Sequence, residues 1–198
     1  AAWAVLELRG PFVTGVELAT EVMTLSLAPT ARARALRTLG LATQRAGQMD
    51  RARASFEEAL LLARARGDRV EEGSLLANLG TISLNLGQPD DALPLLQSAL
   101  AIHRELGDTR GAAVALGNLG LLHHEQHRFD RARTHLEEAR RLHREAGNLR
   151  SEGVVLGNLG NLLNDLERSD EARAHFEEAL AIHRRVGNRR FEGIVHVN

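Results

Sequence analysis

Val114-Ala115-Leu116-Gly117-Asn118-Leu119-Gly120 is a phrase that the chain repeats. Forty residues earlier stands Ser74-Leu75-Leu76-Ala77-Asn78-Leu79-Gly80, and forty later Val154-Val155-Leu156-Gly157-Asn158-Leu159-Gly160. A diverged copy, Arg34-Ala35-Leu36-Arg37-Thr38-Leu39-Gly40, precedes them, and Ile194-Val195-His196-Val197-Asn198 opens another. A fixed period of this length marks a repeat array, in which each unit buries its apolar faces against its neighbours. The 198 residues divide into four full copies, 34–73, 74–113, 114–153 and 154–193. A degenerate helix pair is expected over 1–33, and a truncated further repeat starts at 194–198. The chain is expected to be a piece of a longer protein.

Each copy reads as two helices. In the third copy the first helix is expected from about Thr109 to Gln126, because Ala112, Leu116, Leu119 and Leu122 fall on one helical face. The second is expected from about Asp130 to Ala146, with Ala132, Leu136, Ala139 and Leu142 as its stripe. Ahead of the copies, Ala1 to Leu8 is helix-compatible, Gly10-Pro11 breaks it, and Val13 to Leu27 forms another helix that ends before Pro29. Gly67, Gly107, Gly147 and Gly187 close the second helices, where a left-handed residue turns the chain. Asp68, Asp108, Asn148 and Asn188 follow as caps of the next helices, and Asp68 with Glu71 has capping-box spacing. Asp50, Asp90, Asp130 and Asp170 stand at the second-helix starts, where the helix dipole favours an anion, and Pro94 is read within the first turn or so.

Gly40, Gly80, Gly120 and Gly160 stand mid-helix, each at a cost of about 1 kcal/mol against Ala. Close packing explains that cost: the glycine is expected to face the small residues of its second helix, such as Ala132 and Ala139. Larger residues, Leu39 and Phe56 or Leu159 and Phe176, are expected to fill the flanks. Stacked antiparallel hairpins with a constant offset then form an all-α solenoid.

Composition narrows the function. Hydrophobic residues are 43% and charged residues 26%, normal for a folded soluble chain. A net charge of -1 gives no global pull toward nucleic acid or anionic lipid, and every cation among Lys and Arg is Arg. With no Cys, thiolate catalysis, disulfides and Cys-ligated zinc are excluded. No apolar run approaches the roughly 18 residues a membrane span needs, and no secretory signal opens the chain. A cytoplasmic location, no cofactor, no nucleic-acid partner and no membrane partner are the expectations.

Leu-then-Asn-Leu-Gly, followed by Gly-x-x-Asp-x-Ala as in Gly87 to Ala92, resembles the tetratricopeptide repeat. The resemblance covers about 34–198, and 1–33 in degraded form. It implies a right-handed superhelix. The 40-residue form with its Gly-Asp or Gly-Asn junction is similar to the repeats of kinesin light chain and of the Pins/LGN adaptors. It is similar too to repeat tails of bacterial signalling ATPases and transcription regulators. Thr43, Ser83, His123 and Leu163 stand where the family often has Tyr. His127 and Glu167 replace Gly at the inter-helix turn, which predicts a less tight turn in the fourth copy.

The resemblance also implies that first helices line a concave groove that holds ligand. Arg37, Gln44 and Arg45 are assigned to it from the first copy, and Asn78, Thr81 and Asn85 from the second. Asn118, His124 and Glu125 continue the row, then Asn158, Asn161, Asn164 and Asp165. Leu41, Leu84 and Leu121 add apolar spots. An Asn amide pairs with both sides of a peptide backbone, so Asn at this period suits an extended chain. The other reading of Asn78, Asn118 and Asn158 is a hydrogen bond to the neighbouring copy.

Other constellations are weaker. His123 and His127 have helical ligand spacing, but no zincin pattern accompanies them. His103, His143 and His183 recur near second-helix C-termini, where a cation is favoured, as a repeated structural feature. Glu57-Glu58, Glu137-Glu138 and Glu177-Glu178 read as solvated surface. Gly157 to Asn161 is mid-helix and no phosphate cradle, and no aromatic platform accompanies the Arg runs. No nucleophile–base pair stands outside the repeat, so no enzyme is expected. The leading expectation is a scaffold that binds a protein or peptide. The alternative is a sensor or regulatory tail of a bacterial signalling ATPase or transcription regulator, and self-association through exposed repeat ends is a further expectation.

Overall fold

The computed structural model describes residues 14–187, and the readings of Ala1–Leu8, Gly10-Pro11, Asn188 and 194–198 lie outside them. Residues 14–23 are helical (α1). There follow α2 (Pro29–Arg45), α3 (Met49–Ala65), α4 (Arg69–Asn85), α5 (Pro89–Glu105), α6 (Thr109–Glu125), α7 (Phe129–Glu145), α8 (Leu149–Asp165) and α9 (Ser169–Arg185). Among the described residues there is no strand, and the fold is all-α. The chain divides into two compact units, one up to Ile102 and one from His103, so that α5 contributes to both. In the first unit α2 packs on α3 and α3 on α4; in the second α6 packs on α7, α7 on α8, α8 on α9, and α6 touches α8.

The helix ends follow from the junction residues. Asp68 accepts from the Glu71 N–H at 3.1 Å, Asp108 from Gly111 at 3.0 Å and Asn148 from Ser151 at 3.3 Å. Each satisfies one of the donors that a helix start leaves free. The helix expected over 13–27 stops at residue 23, and Ala28 is extended with ψ 151, as Pro29 demands of the residue before it. Pro94 lies a turn deeper than expected, inside α5 rather than in its opening turn.

The inter-helix turns correct another expectation. His127 and Glu167 adopt φ 55 and 60, beside φ 76 and 68 at Gly47 and Gly87. The bonds that close the turns match: Arg128 N to His123 O is 2.8 Å and Arg168 N to Leu163 O 2.9 Å, against 2.9 Å for Gln48 N to Thr43 O. The fourth turn is as tight as the first. Hydrogen bonding and packing hold two side chains in a region that L-residues enter at a cost of about 1–2 kcal/mol.

The mid-helix glycines are buried, as the close-packing argument requires, but they do not face Ala side chains. A Cβ at Gly120 would lie 2.6 Å from Leu136 Cγ, and one at Gly160 2.5 Å from Phe176 Cε1. Phe56 lies over Gly40 and Leu96 over Gly80 in the same way. The large residue therefore sits directly on the bare backbone, not on its flanks. The small residues have a second role: Ala52, Ala92, Ala132 and Ala172 are almost fully buried, and the carbonyls of Ala92 and Ala132 would lie 3.5 and 3.4 Å from a Cβ added at Gly80 and Gly120.

The paired glutamates are only partly solvated surface. Glu58 binds Arg32 at 2.6 Å, Glu138 binds Arg104 at 2.9 Å and Glu178 binds Arg140 at 2.7 Å, each from one helix to another. Glu57 and Glu177 are exposed, and Glu137 pairs with Arg133 four residues before it on its own helix. The repeated histidines are buried, not exposed. His103, His143 and His183 are at most 2% accessible. Burial pushes the pKa of His143 down, against the pull of nearby Glu152, so its neutral form is favoured.

Candidate functional site

Periodicity decides which side of each first helix remains open. In α6, Ala112, Ala113, Leu116, Leu119, Gly120 and Leu122 are buried. What remains is a strip containing Val114, Gly117, Asn118, Leu121, His124 and Glu125. In α8 the same register leaves Val154, Gly157, Asn158, Asn161, Asn164 and Asp165. The seven residues assigned to the groove from these two helices thus share one face of the second unit. Two of them meet: His124 Nε2 lies 2.7 Å from Asp165 Oδ2, a bond that ties the two helices together on that face.

Sequence reasoning missed the glycines of this face. A Cβ at Gly117 would meet only Val155 Cγ2, at 4.0 Å, and one at Gly157 would meet nothing within 4 Å. Asn118 and Asn158, half-buried, therefore stand beside a stretch of uncovered helix backbone. The signal was present: 117 and 157 share the register of the assigned Arg37, one residue before each Asn. Residues 117 and 120, or 157 and 160, are alike as glycines in sequence and opposite in environment, one covered and one bare.

The first unit is different. Asn78 is half-buried and Asn85 exposed on α4, but Thr81 donates to Ala77 O at 2.9 Å within its own helix. Ala77, in the register of Gly117, is buried. On α2, Gln44 and Arg45 reach the surface, while Arg37 Nε lies 3.0 Å from Glu71 Oε1 on α4. The capping-box spacing of Asp68 and Glu71 does not reveal this pair, because it concerns only the start of α4.

The histidines of α6 part company. His123 turns inward and stacks on His135 of α7, ring centroids 5.4 Å apart, whereas His127 lies in the turn, edge-on to Phe129. Helical spacing therefore does not bring His123 and His127 together, because His127 has left the helix. Burial lowers the pKa of His123, helped by His135, Arg128 and Arg131; burial likewise lowers that of His135, helped by Arg104 and Arg131 and opposed by Glu138. Among the described residues no group of three His, Cys, Asp or Glu is placed to hold a metal ion, and no helix is long and apolar enough to cross a membrane.

The profile of the tetratricopeptide repeat matches residues 31–105 and 71–145, and a second profile of the same description matches 154–186. The chain belongs to the tetratricopeptide repeat family. No curated protein matches it. Among solved structures, this tetratricopeptide repeat chain is similar to BtubC (BKLC) from P. vanneervenii, at 21% identity and TM-score 0.73 over 93% of this chain and 78% of that one. It is similar to the Rap protein complexed with competence and sporulation factor, at 16% identity and TM-score 0.78 over 91% of this chain and 50% of that one. The Rap conjugation gene regulator of plasmid pLS20, in complex with the Phr* peptide, gives 17% identity and TM-score 0.77 over 98% and 55%. The repeat chain thus spans about half the length of the two Rap structures, and the likeness establishes the fold.

Proposed function

We propose that this chain is a protein-interaction scaffold whose α6/α8 face binds an extended peptide segment, with Asn118 and Asn158 contacting the ligand backbone. One observation carries the reading: two Asn amides in the same register on neighbouring helices, each beside a glycine that leaves room above the helix. A ligand main chain can approach there without meeting a Cβ, and an Asn amide carries both donor and acceptor groups. Leu121, Val114 and Val154 supply the apolar contacts, and Glu125 and Asp165 supply charge. Asn161, Asn164 and His124 belong to the same face, and in the first unit, taken by itself, Arg37, Gln44, Arg45, Asn78, Thr81 and Asn85 are proposed as ligand contacts. Two proteins of similar fold are seen in complexes, one with competence and sporulation factor and the other with the Phr* peptide, which favours a peptide over a folded domain as ligand.

The test is selection from a displayed random-peptide library, followed by titration of the recovered peptides. The expected result is binding to the wild-type chain that weakens at least about tenfold, or 1.4 kcal/mol, in Asn118→Ala/Asn158→Ala with circular dichroism unchanged. Recovered peptides that bind this variant as tightly as wild type would end the proposal.

A further inference from the structure

One interior place holds a different residue in each of the four copies. Position 43 holds Thr, 83 Ser, 123 His and 163 Leu. Thr43 is sealed off and donates to Leu39 O at 2.7 Å. His123 fills its place by stacking on His135, and Leu163 fills its own with an isobutyl group. Ser83 is the smallest of the four, and opposite it Leu95 replaces the imidazole that His135 brings in the third copy. The deficit is visible in the first unit as a cleft of about 450 Å³ among α3, α4 and α5. None of the α2 and α4 residues assigned to peptide binding lines it.

Leu60, Leu79 and Ser83 line the cleft from within, and Pro94 and Leu95 from α5. Ser83 is 3% accessible, and among the described residues its hydroxyl has no hydrogen-bond partner. Pro94, lacking an N–H, cannot donate to the carbonyl of Asp90 one turn earlier. The carboxylates of Glu57, Asp90 and Asp91 stand at the mouth without ion pairs among the described residues. The one cation there, Arg53, is held by Gln88 through its Nη2. Apolar walls, free acceptors and an excess of negative charge converge on one volume within the usual range of ligand pockets, roughly 300–1,000 Å³.

We propose that this cleft is a second binding site, for a small organic amine in its protonated form, carried on an apolar aryl or alkyl body. The body fills the space that Ser83 leaves against Leu79 and Leu95, and the ammonium donates to the Asp90 carbonyl and to the carboxylates at the mouth. The α6/α8 peptide face plays no part in it.

The experiment uses the whole chain with methyl-labelled leucine and phenethylamine as the probe, and 3-phenylpropionate as the same body with the opposite charge. The expected result is saturable methyl shifts at Leu60, Leu79 and Leu95 with the amine and none with the acid. Ser83→Leu, the residue that the fourth copy carries at this place, abolishes the amine shifts while helicity is retained. Asp90→Asn/Asp91→Asn weakens them several-fold with the cleft left open. No saturable shift, equal shifts from the carboxylate, or shifts that persist in Ser83→Leu each overturn the proposal.

Discussion

Replacing Gly120 by Ala tests the packing on which the hairpins depend. Helix propensity alone favours Ala by about 1 kcal/mol. The added methyl would stand 2.6 Å from Leu136 Cγ and 2.7 Å from Cδ2, and Leu136 is fully buried with nowhere to turn. Overpacking of this kind costs about 1–3 kcal/mol, so the net expectation is a loss between about 0 and 2 kcal/mol. Gly157→Ala is the control, 37 positions later in the corresponding helix of the next copy. Nothing lies within 4 Å of its added Cβ, so propensity acts unopposed and stability rises by about 1 kcal/mol. The two variants are therefore separated by about 1–3 kcal/mol in opposite directions from the same chemical change. Urea unfolding followed by circular dichroism reads the difference; with m of about 2 kcal/mol/M, a 2 kcal/mol gap separates the midpoints by about 1 M. Equal stabilisation by both substitutions would refute the claim that Leu136 rests on bare backbone.

Three further outcomes are expected. His127→Gly and Glu167→Gly, each relieving a left-handed side chain in an inter-helix turn, raise stability by on the order of 1 kcal/mol in thermal melts, whereas Gly-to-Ala changes at 47 or 87 lower it. Acid weakens the second unit selectively: His123, His135, His143 and His175 all have pKa values lowered chiefly by burial, and all nine His of the chain lie at or beyond residue 103. Such groups bind more protons unfolded than folded, so their stabilising effect is complete above the ordinary histidine pKa of about 6.5 and is lost as pH falls from there through their lowered folded values. Hydrogen exchange at successive pH values should show α6–α9 opening before α2–α4, and uniform behaviour of the two units would contradict this. Arg144→Ala leaves the 2%-accessible Glu152 carboxylate without its 2.6 Å donor and destabilises by about 1–3 kcal/mol, recovered in part by adding Glu152→Gln, as a double-mutant cycle in urea would show.

Much of the architecture was legible because it rests on local rules applied at a fixed period. The Gly-Asp and Gly-Asn junctions foretold a left-handed stop and a side-chain cap, and both are made by atoms within a few residues of each other. The α6 and α7 boundaries fall within one residue of the periodicity reading for the same reason. The expectation of a looser fourth turn failed because it weighed only the residue in the turn. The two helices that Glu167 joins are already committed to each other through Gly160 and Phe176, and that packing imposes the left-handed conformation on a residue that would not choose it.

From the amino-acid order alone came the period, the helix pairs, the caps and the register of the open face, since each depends on spacing along a helix and on chemistry close in sequence. The tertiary structure alone decided which glycines are covered and which lie bare, that His123 meets His135 rather than His127, that His124 reaches Asp165, and that Ser83 leaves a cleft. Those outcomes turn on which side chain from another helix occupies a given volume, and four copies with one pattern fill it with Thr, Ser, His and Leu to four different ends.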